Sequence, residues 1–140
     1  MEQQGDNTEK FYRCSHQVIG ACIEVHRHLG PGLLESAYEE CLCHELRLRG
    51  LAYQRQVALP VRYKGIVLDN AYRLDLVVER CVLIEVKAIE RILPIHHSQV
   101  LTYLKMSALP IALLINFGES ALVKGVRRFR GVEGWRGVGC

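Results

Sequence analysis

The sequence predicts an α/β (α+β) chain in which a single sheet is covered by helices. Three observations carry that expectation. Apolar residues up to Gly50 recur at three- and four-residue spacing, and beyond it the period shortens towards two. A further helical stretch then separates the middle strands from two apolar runs near the C-terminus.

The first helix is expected from about Thr8 to Leu29, where Phe11, Ser15, Val18, Cys22, Val25 and Leu29 form one stripe. Gly30-Pro31-Gly32 ends it, because glycine accepts the left-handed cap and proline cannot continue the helix. A second helix follows from about Leu33 to Arg49 and stops at Gly50. Gln54 to Tyr63 reads as a strand, with Val57, Leu59 and Val61 on one side and Pro60 marking an edge or a bulge. Lys64-Gly65 and Asp69-Asn70 both read as turns. Tyr72–Val78 and Val82–Val86 are the clearest strands, and Pro94–Met106 is a third helix. Ile111–Asn116 is a buried strand and Leu122–Phe129 a last one. The expected organisation is one domain over residues 1–130 and a mobile glycine-rich tail, GVEGWRGVGC, over residues 131–140.

At 140 residues the chain can build a real core, and its 49% hydrophobic and 24% charged residues are ordinary for a globular protein. A net charge of +3 permits a polyanionic partner without demanding one. The polar opening MEQQGDNTEK is unlike a signal or transit peptide, and the longest apolar run, Ala108 to Phe117, is too short to span a bilayer. The expected setting is cytoplasmic, with reduced thiols and no membrane partner. Cys41-Leu42-Cys43-His44 crowds three ligand types onto a helix where neighbours diverge, and no second cysteine pair at zinc spacing follows. Of the histidines, only His97 is placed to approach a site on the sheet.

The stretch YRLDLVVERCVLIEVKA, Tyr72 to Ala88, sets charges inside strands that otherwise look like core. Alternation puts Arg73, Asp75 and Val77 on one face and Tyr72, Leu74, Leu76 and Val78 on the other. Leu83, Glu85 and Lys87 share one face of the next strand. An odd-length loop about Arg80 would pair Val78 with Val82 and set Asp75 opposite Glu85, with Cβ atoms about 5 Å apart. Two carboxylates so placed repel unless a hard divalent cation bridges them. An even loop would send them to opposite faces. A half-exposed hairpin whose charges face water is the other reading.

Glu35 and Tyr38 share a face of the second helix, where Glu35 either complements the helix N-terminus or adds a third carboxylate. Gln99 and Tyr103 share a face of the third helix and either tie it to the sheet or position a phosphate. Lys124, Arg127, Arg128 and Arg130 form a positive stripe that could meet a nucleic-acid backbone or protect an edge strand.

Gly32-Leu33-Leu34-Glu35-Ser36-Ala37-Tyr38 fits a GxxExxY signature, flanked by Ile23-Glu24-Val25-His26 and Leu29-Gly30-Pro31-Gly32. Tyr72-Arg73-Leu74-Asp75, Ile84-Glu85-Val86-Lys87-Ala88, Gln99 to Tyr103 and Leu114-Ile115-Asn116-Phe117-Gly118 follow in order. Over roughly residues 10–118 the chain therefore resembles the GxxExxY family, which is similar to the RecB-like branch of the PD-(D/E)XK nuclease superfamily. The resemblance implies a restriction-endonuclease-like mixed β-sheet flanked by helices, in the order ααβββαββ. Asp75, Glu85, the Val86 carbonyl and Glu35 would be metal ligands for Mg²⁺ or Mn²⁺. Lys87 would be the active-site lysine, with Asp75, Glu85 and Glu35 the catalytic acids, and Gln99, Tyr103, Tyr38 and Arg73 would meet substrate. Leu74 stands where the superfamily name has proline, which removes no chemical group.

The activity so implied is metal-dependent phosphodiester hydrolysis of nucleic acid, with DNA the expected substrate and a homodimer or partner protein enlarging a small footprint. The alternative is an inactive nuclease-like fold that binds nucleic acid or protein. Retention of both acids and the lysine argues against that decay.

Overall fold

The computed structural model describes residues 2–131, with side chains from residue 8 onward. Apart from Gly131, the glycine-rich tail lies outside the described residues. Helix α1 spans Glu2–Leu29 and begins before Thr8, because its first turns are polar and carry no apolar period to read. There follow α2 (Glu35–Leu48), β1 (Tyr53–Tyr63), β2 (Ile66–Val78) and β3 (Val82–Lys87). Next come α3 (Pro94–Ser107), β4 (Ile111–Asn116), a 3-10 turn (Leu122–Gly125) and β5 (Val126–Arg130). The expected last strand is thus divided, its opening residues coiling into the turn before β5 begins.

The five strands lie side by side in chain order, β3 and β4 parallel and every other pair antiparallel. A parallel pair needs a crossover, which α3 supplies. One apolar cluster joins α1 and α2 to the sheet through Val18, Cys22, Leu42, Leu46, Ile84, Val86, Leu113 and Ile115. A second cluster, on the other face, joins α3 to the sheet through Val100, Leu104, Leu83, Ala112 and Leu114. Consecutive residues of β3 and β4 alternate between the two clusters, as a sheet buried on both faces requires. Among the described residues no helix is long and apolar enough to cross a membrane.

Two departures from the expected pattern shape the site. Asp69-Asn70 does not turn the chain. The register steps from Leu59↔Tyr72 to Val61↔Leu68, so Asp69, Asn70 and Ala71 lie against Pro60 alone. Proline offers the ladder no N–H, and the turn-prone pair is absorbed as a bulge within β2.

The second departure is at Asp75, where alternation fails. Leu76 and Val78 pack on the α1–α2 face, whereas Leu74 packs with Val77 on the α3 face. Leu74 therefore does not share a face with Leu76, contrary to strict alternation. The partner strand switches at the same level. Arg55 reaches α2, Val57 joins the α3 cluster, and Gln56 between them has a left-handed φ of 53°.

Candidate active site

The β2–β3 hairpin turns through Glu79, Arg80 and Cys81, the odd-length loop, and pairs Val78 with Val82, Val77 with Leu83 and Leu76 with Ile84. Glu79 and Arg80 take positive φ values of 52° and 56°. Glu79 is pinned to Ala52, donating its N–H at 2.8 Å and accepting from the Ala52 N–H at 2.6 Å. That loop fixes the register, and the next pair in line is Asp75 with Glu85. Here the ladder stops. The Val86 N–H instead donates to Asp75 Oδ2 at 2.8 Å, so a side chain takes the acceptor's place that a backbone carbonyl would have held.

Glu85 and Lys87 follow Leu83 on the α3 side of β3. Glu85 is 7% exposed and its Oε1 has no hydrogen-bond partner. Burial, and then the Asp75 charge, push its carboxyl up to about 8, against the pull of Lys87. Burial likewise raises Asp75 to about 6; the Val86 N–H opposes this, and the charges of Glu39 and Glu35 add to it. Lys87 favours the ionised form of both acids. The segment after Lys87 is held by Asn116, a buried residue whose side chain accepts from the Ile89 N–H and donates to the Ile89 carbonyl, each at 2.9 Å. Gly118 passes so close that an added Cβ would sit 2.2 Å from the Ile89 oxygen, which makes glycine obligatory there.

Helix α2 brings acids to the same notch from the other face. Glu35, exposed in the first turn of a helix with no side-chain cap, acts on both carboxylates through its charge. Glu39, one turn on, was not singled out by sequence reasoning. It is 7% exposed, and Arg55 Nε and the Gln56 amide both donate to it. The i, i+4 spacing from Glu35 was the available signal.

Tyr38 lies in the core. It is fully buried, stacks on Phe117 at a centroid distance of 4.5 Å, donates to the Gly30 carbonyl and accepts from the Leu33 N–H. Its hydroxyl ties the Gly30–Leu33 turn to the core and so sets where α2 starts. Gly30 and Gly32 have φ of 65° and 110°, the reason that turn carries glycine.

Tyr103 borders the acids. Burial and the charges of Glu85, Tyr72 and Asp75 raise its phenol, and the Tyr72 ring lies 5.6 Å away. Gln99 and Arg73 are exposed. His97 is not brought to the notch, because its ring packs edge-on against Phe129 at 5.5 Å. The C-terminal cations do not form one stripe. Arg128 donates to Ser15 and, with Arg130, lies over the Tyr12 ring, while Arg127 bonds back to the carbonyls of Lys124 and Val126. Cys43 is buried and Cys41 exposed, the divergence expected of near neighbours on a helix. A cavity of about 820 Å³, lined by Val57, Leu59, Leu74, Val77 and Met106, opens beside the notch, and neither acid lines it.

The donor set can be tested against a divalent cation. Two desolvated, mutually repelling carboxylates, one with an orphaned oxygen, fit a hard ion that takes oxygen ligands and keeps waters. Among the described residues no three His, Cys, Asp or Glu side chains converge on one point. Protein ligation would thus rest on Asp75 and Glu85 with backbone and water oxygens.

A family model described as the PD-(D/E)XK nuclease superfamily matches residues 12–129. Nucleases of that superfamily generally use divalent metal ions. No curated protein and no solved structure matches the chain.

Proposed function

The chain belongs to the PD-(D/E)XK nuclease superfamily, and we propose that it is an active, Mg²⁺- or Mn²⁺-dependent DNA nuclease of the RecB-like, GxxExxY kind. The observation that carries this reading is the Glu85 carboxylate, buried beside Asp75 and Lys87 with Oε1 unpartnered. A folded protein gains nothing from such a group unless a ligand completes it.

Asp75 and Glu85 hold the cation, with the Val86 carbonyl as a further oxygen, and Glu35 adds negative field from the helix. When bound, a divalent ion there would lower the pKa of an attacking water and take up charge on the phosphate. Lys87 orients that water and offsets the charge that builds on the non-bridging oxygens. Tyr103 and Arg73 flank the notch on the α3 and β2 sides, where a phosphate or sugar would rest, and Gln99 meets the strand from the exposed side of α3. The catalytic unit is the single domain over residues 1–130.

The test is cleavage of supercoiled DNA, linear DNA and RNA with Mg²⁺, with Mn²⁺ and with chelator. We expect DNA cleavage that needs the cation and that falls by roughly 10²–10³-fold or more in Asp75→Ala and Lys87→Ala. Tight, cation-independent binding without cleavage by the wild type would instead identify a nuclease-like binding module.

A further inference from the structure

A left-handed backbone lies level with Asp75 in the neighbouring strand. Gln56 stands across from Asp75, between the registered pairs Arg55↔Leu76 and Val57↔Leu74. Its φ of 53° is one that a non-glycine residue adopts at a cost of about 1–2 kcal/mol. Both strands change faces at this level, so the kink is shared rather than confined to β1. Something must hold it. The Gln56 amide nitrogen donates to both Glu39 oxygens at 3.1 Å, and Arg55 Nε donates to the same carboxylate, itself buried under α2. The consequence falls on Asp75. Released from the ladder by the kink opposite it, the residue turns its carboxylate to the Val86 N–H and towards Glu85.

We propose that Gln56 and Glu39 are positioning residues for Asp75. Glu39 anchors the Gln56 amide, the anchored amide keeps the Gln56 backbone left-handed, and that backbone delivers the Asp75 carboxylate to the cation site. The device rests on the reading of Asp75 and Glu85 as cation ligands. It assigns a role to an exposed glutamine that carries no turn chemistry of its own. It also explains why Glu39, a buried acid, is spent on a clamp rather than on the ion.

The test is Mn²⁺ affinity, read from the electron paramagnetic resonance of unbound Mn²⁺ on the full chain without nucleic acid. Gln56→Ala keeps the backbone strain and loses the anchor, so affinity falls at least tenfold. Gln56→Gly loses the same amide but adopts positive φ without strain, so its affinity stays within about threefold of wild type. In an ordinary strand glycine is the worse substitute, so this order would not arise from stability alone. Glu39→Gln, which keeps an acceptor for the amide and folds more securely than Glu39→Ala, falls between the two. Wild-type affinity in Gln56→Ala, or equal losses in the alanine and glycine variants, overturns the proposal. Asp75→Asn serves as the reference: if it binds Mn²⁺ as wild type does, the cation site itself is wrong, a failure distinct from that of the clamp.

Discussion

Two buried glutamates, equally covered, have opposite surroundings. Glu39 in the α2–β1 clamp and Glu85 in the β2–β3 notch are each 7% exposed. Glu39 receives Arg55 and Gln56, whereas Glu85 Oε1 receives nothing and its carboxyl is pushed up to about 8. The fold thus supplies donors to both oxygens of one acid and leaves an oxygen of the other open. Burial alone does not distinguish structure from function; the state of satisfaction does.

The sharpest way to break this contrast is to remove each acid in turn, because the two should change stability in opposite directions. Glu39→Ala leaves a guanidinium and an amide facing a hole, and we expect a loss of roughly 2–3 kcal/mol in urea denaturation. Glu85→Gln removes a charge that burial and Asp75 disfavour and that Lys87 offsets only in part. Without divalent ions it should stabilise the protein at pH 8 by about 1–3 kcal/mol.

The sign follows from the titration. Asp75 and Glu85 have folded-state values raised to about 6 and about 8, above their ordinary 3.8 and 4.5. Their contribution is therefore fully present at low pH and is lost as pH rises through the folded values. The cation-free wild type should lose stability between about pH 4 and pH 8, a loss much reduced in Glu85→Gln. Excess Mg²⁺ or Mn²⁺ should restore the wild type at pH 8 and leave Glu85→Gln unchanged. A smaller effect is expected at Tyr38, where Tyr38→Phe keeps the stack on Phe117 and loses the hydroxyl bonds to the Gly30–Leu33 turn. About 1 kcal/mol of stability should go, with cation affinity little changed. A large loss of affinity with intact stability would instead give Tyr38 a direct part in the site.

Much of this was legible in the residues, and the boundary has physical causes. The hairpin loop was readable because its length sets the register, and the register puts Asp75 in line with Glu85. The stripe of α1 and the Gly30–Gly32 stop were readable because helix period and left-handed caps are local properties. Asp69-Asn70 misled because its preference to turn was overridden across the sheet by Pro60, a non-local effect. The face switch at Asp75 left no trace, since glutamine at Gln56 gives no sign of a left-handed backbone. Tyr38 looked available because helical spacing places it near Glu35 but does not say which side of the helix is covered by Phe117. Glu39 stayed hidden because an acid in a helix reads as solvated until its donors, here from β1, are in place.

The central claim is that Asp75 and Glu85 together hold a divalent cation, which would displace the proton that burial and the Asp75 charge favour on Glu85. Calorimetric titration of the wild type and Glu85→Gln with Mn²⁺ at pH 7.5, in two buffers of different ionisation enthalpy, measures this directly. Saturable binding with proton release in the wild type, and loss of both in the variant, is the predicted result. Equal binding by both proteins, or binding that releases no proton, would contradict it.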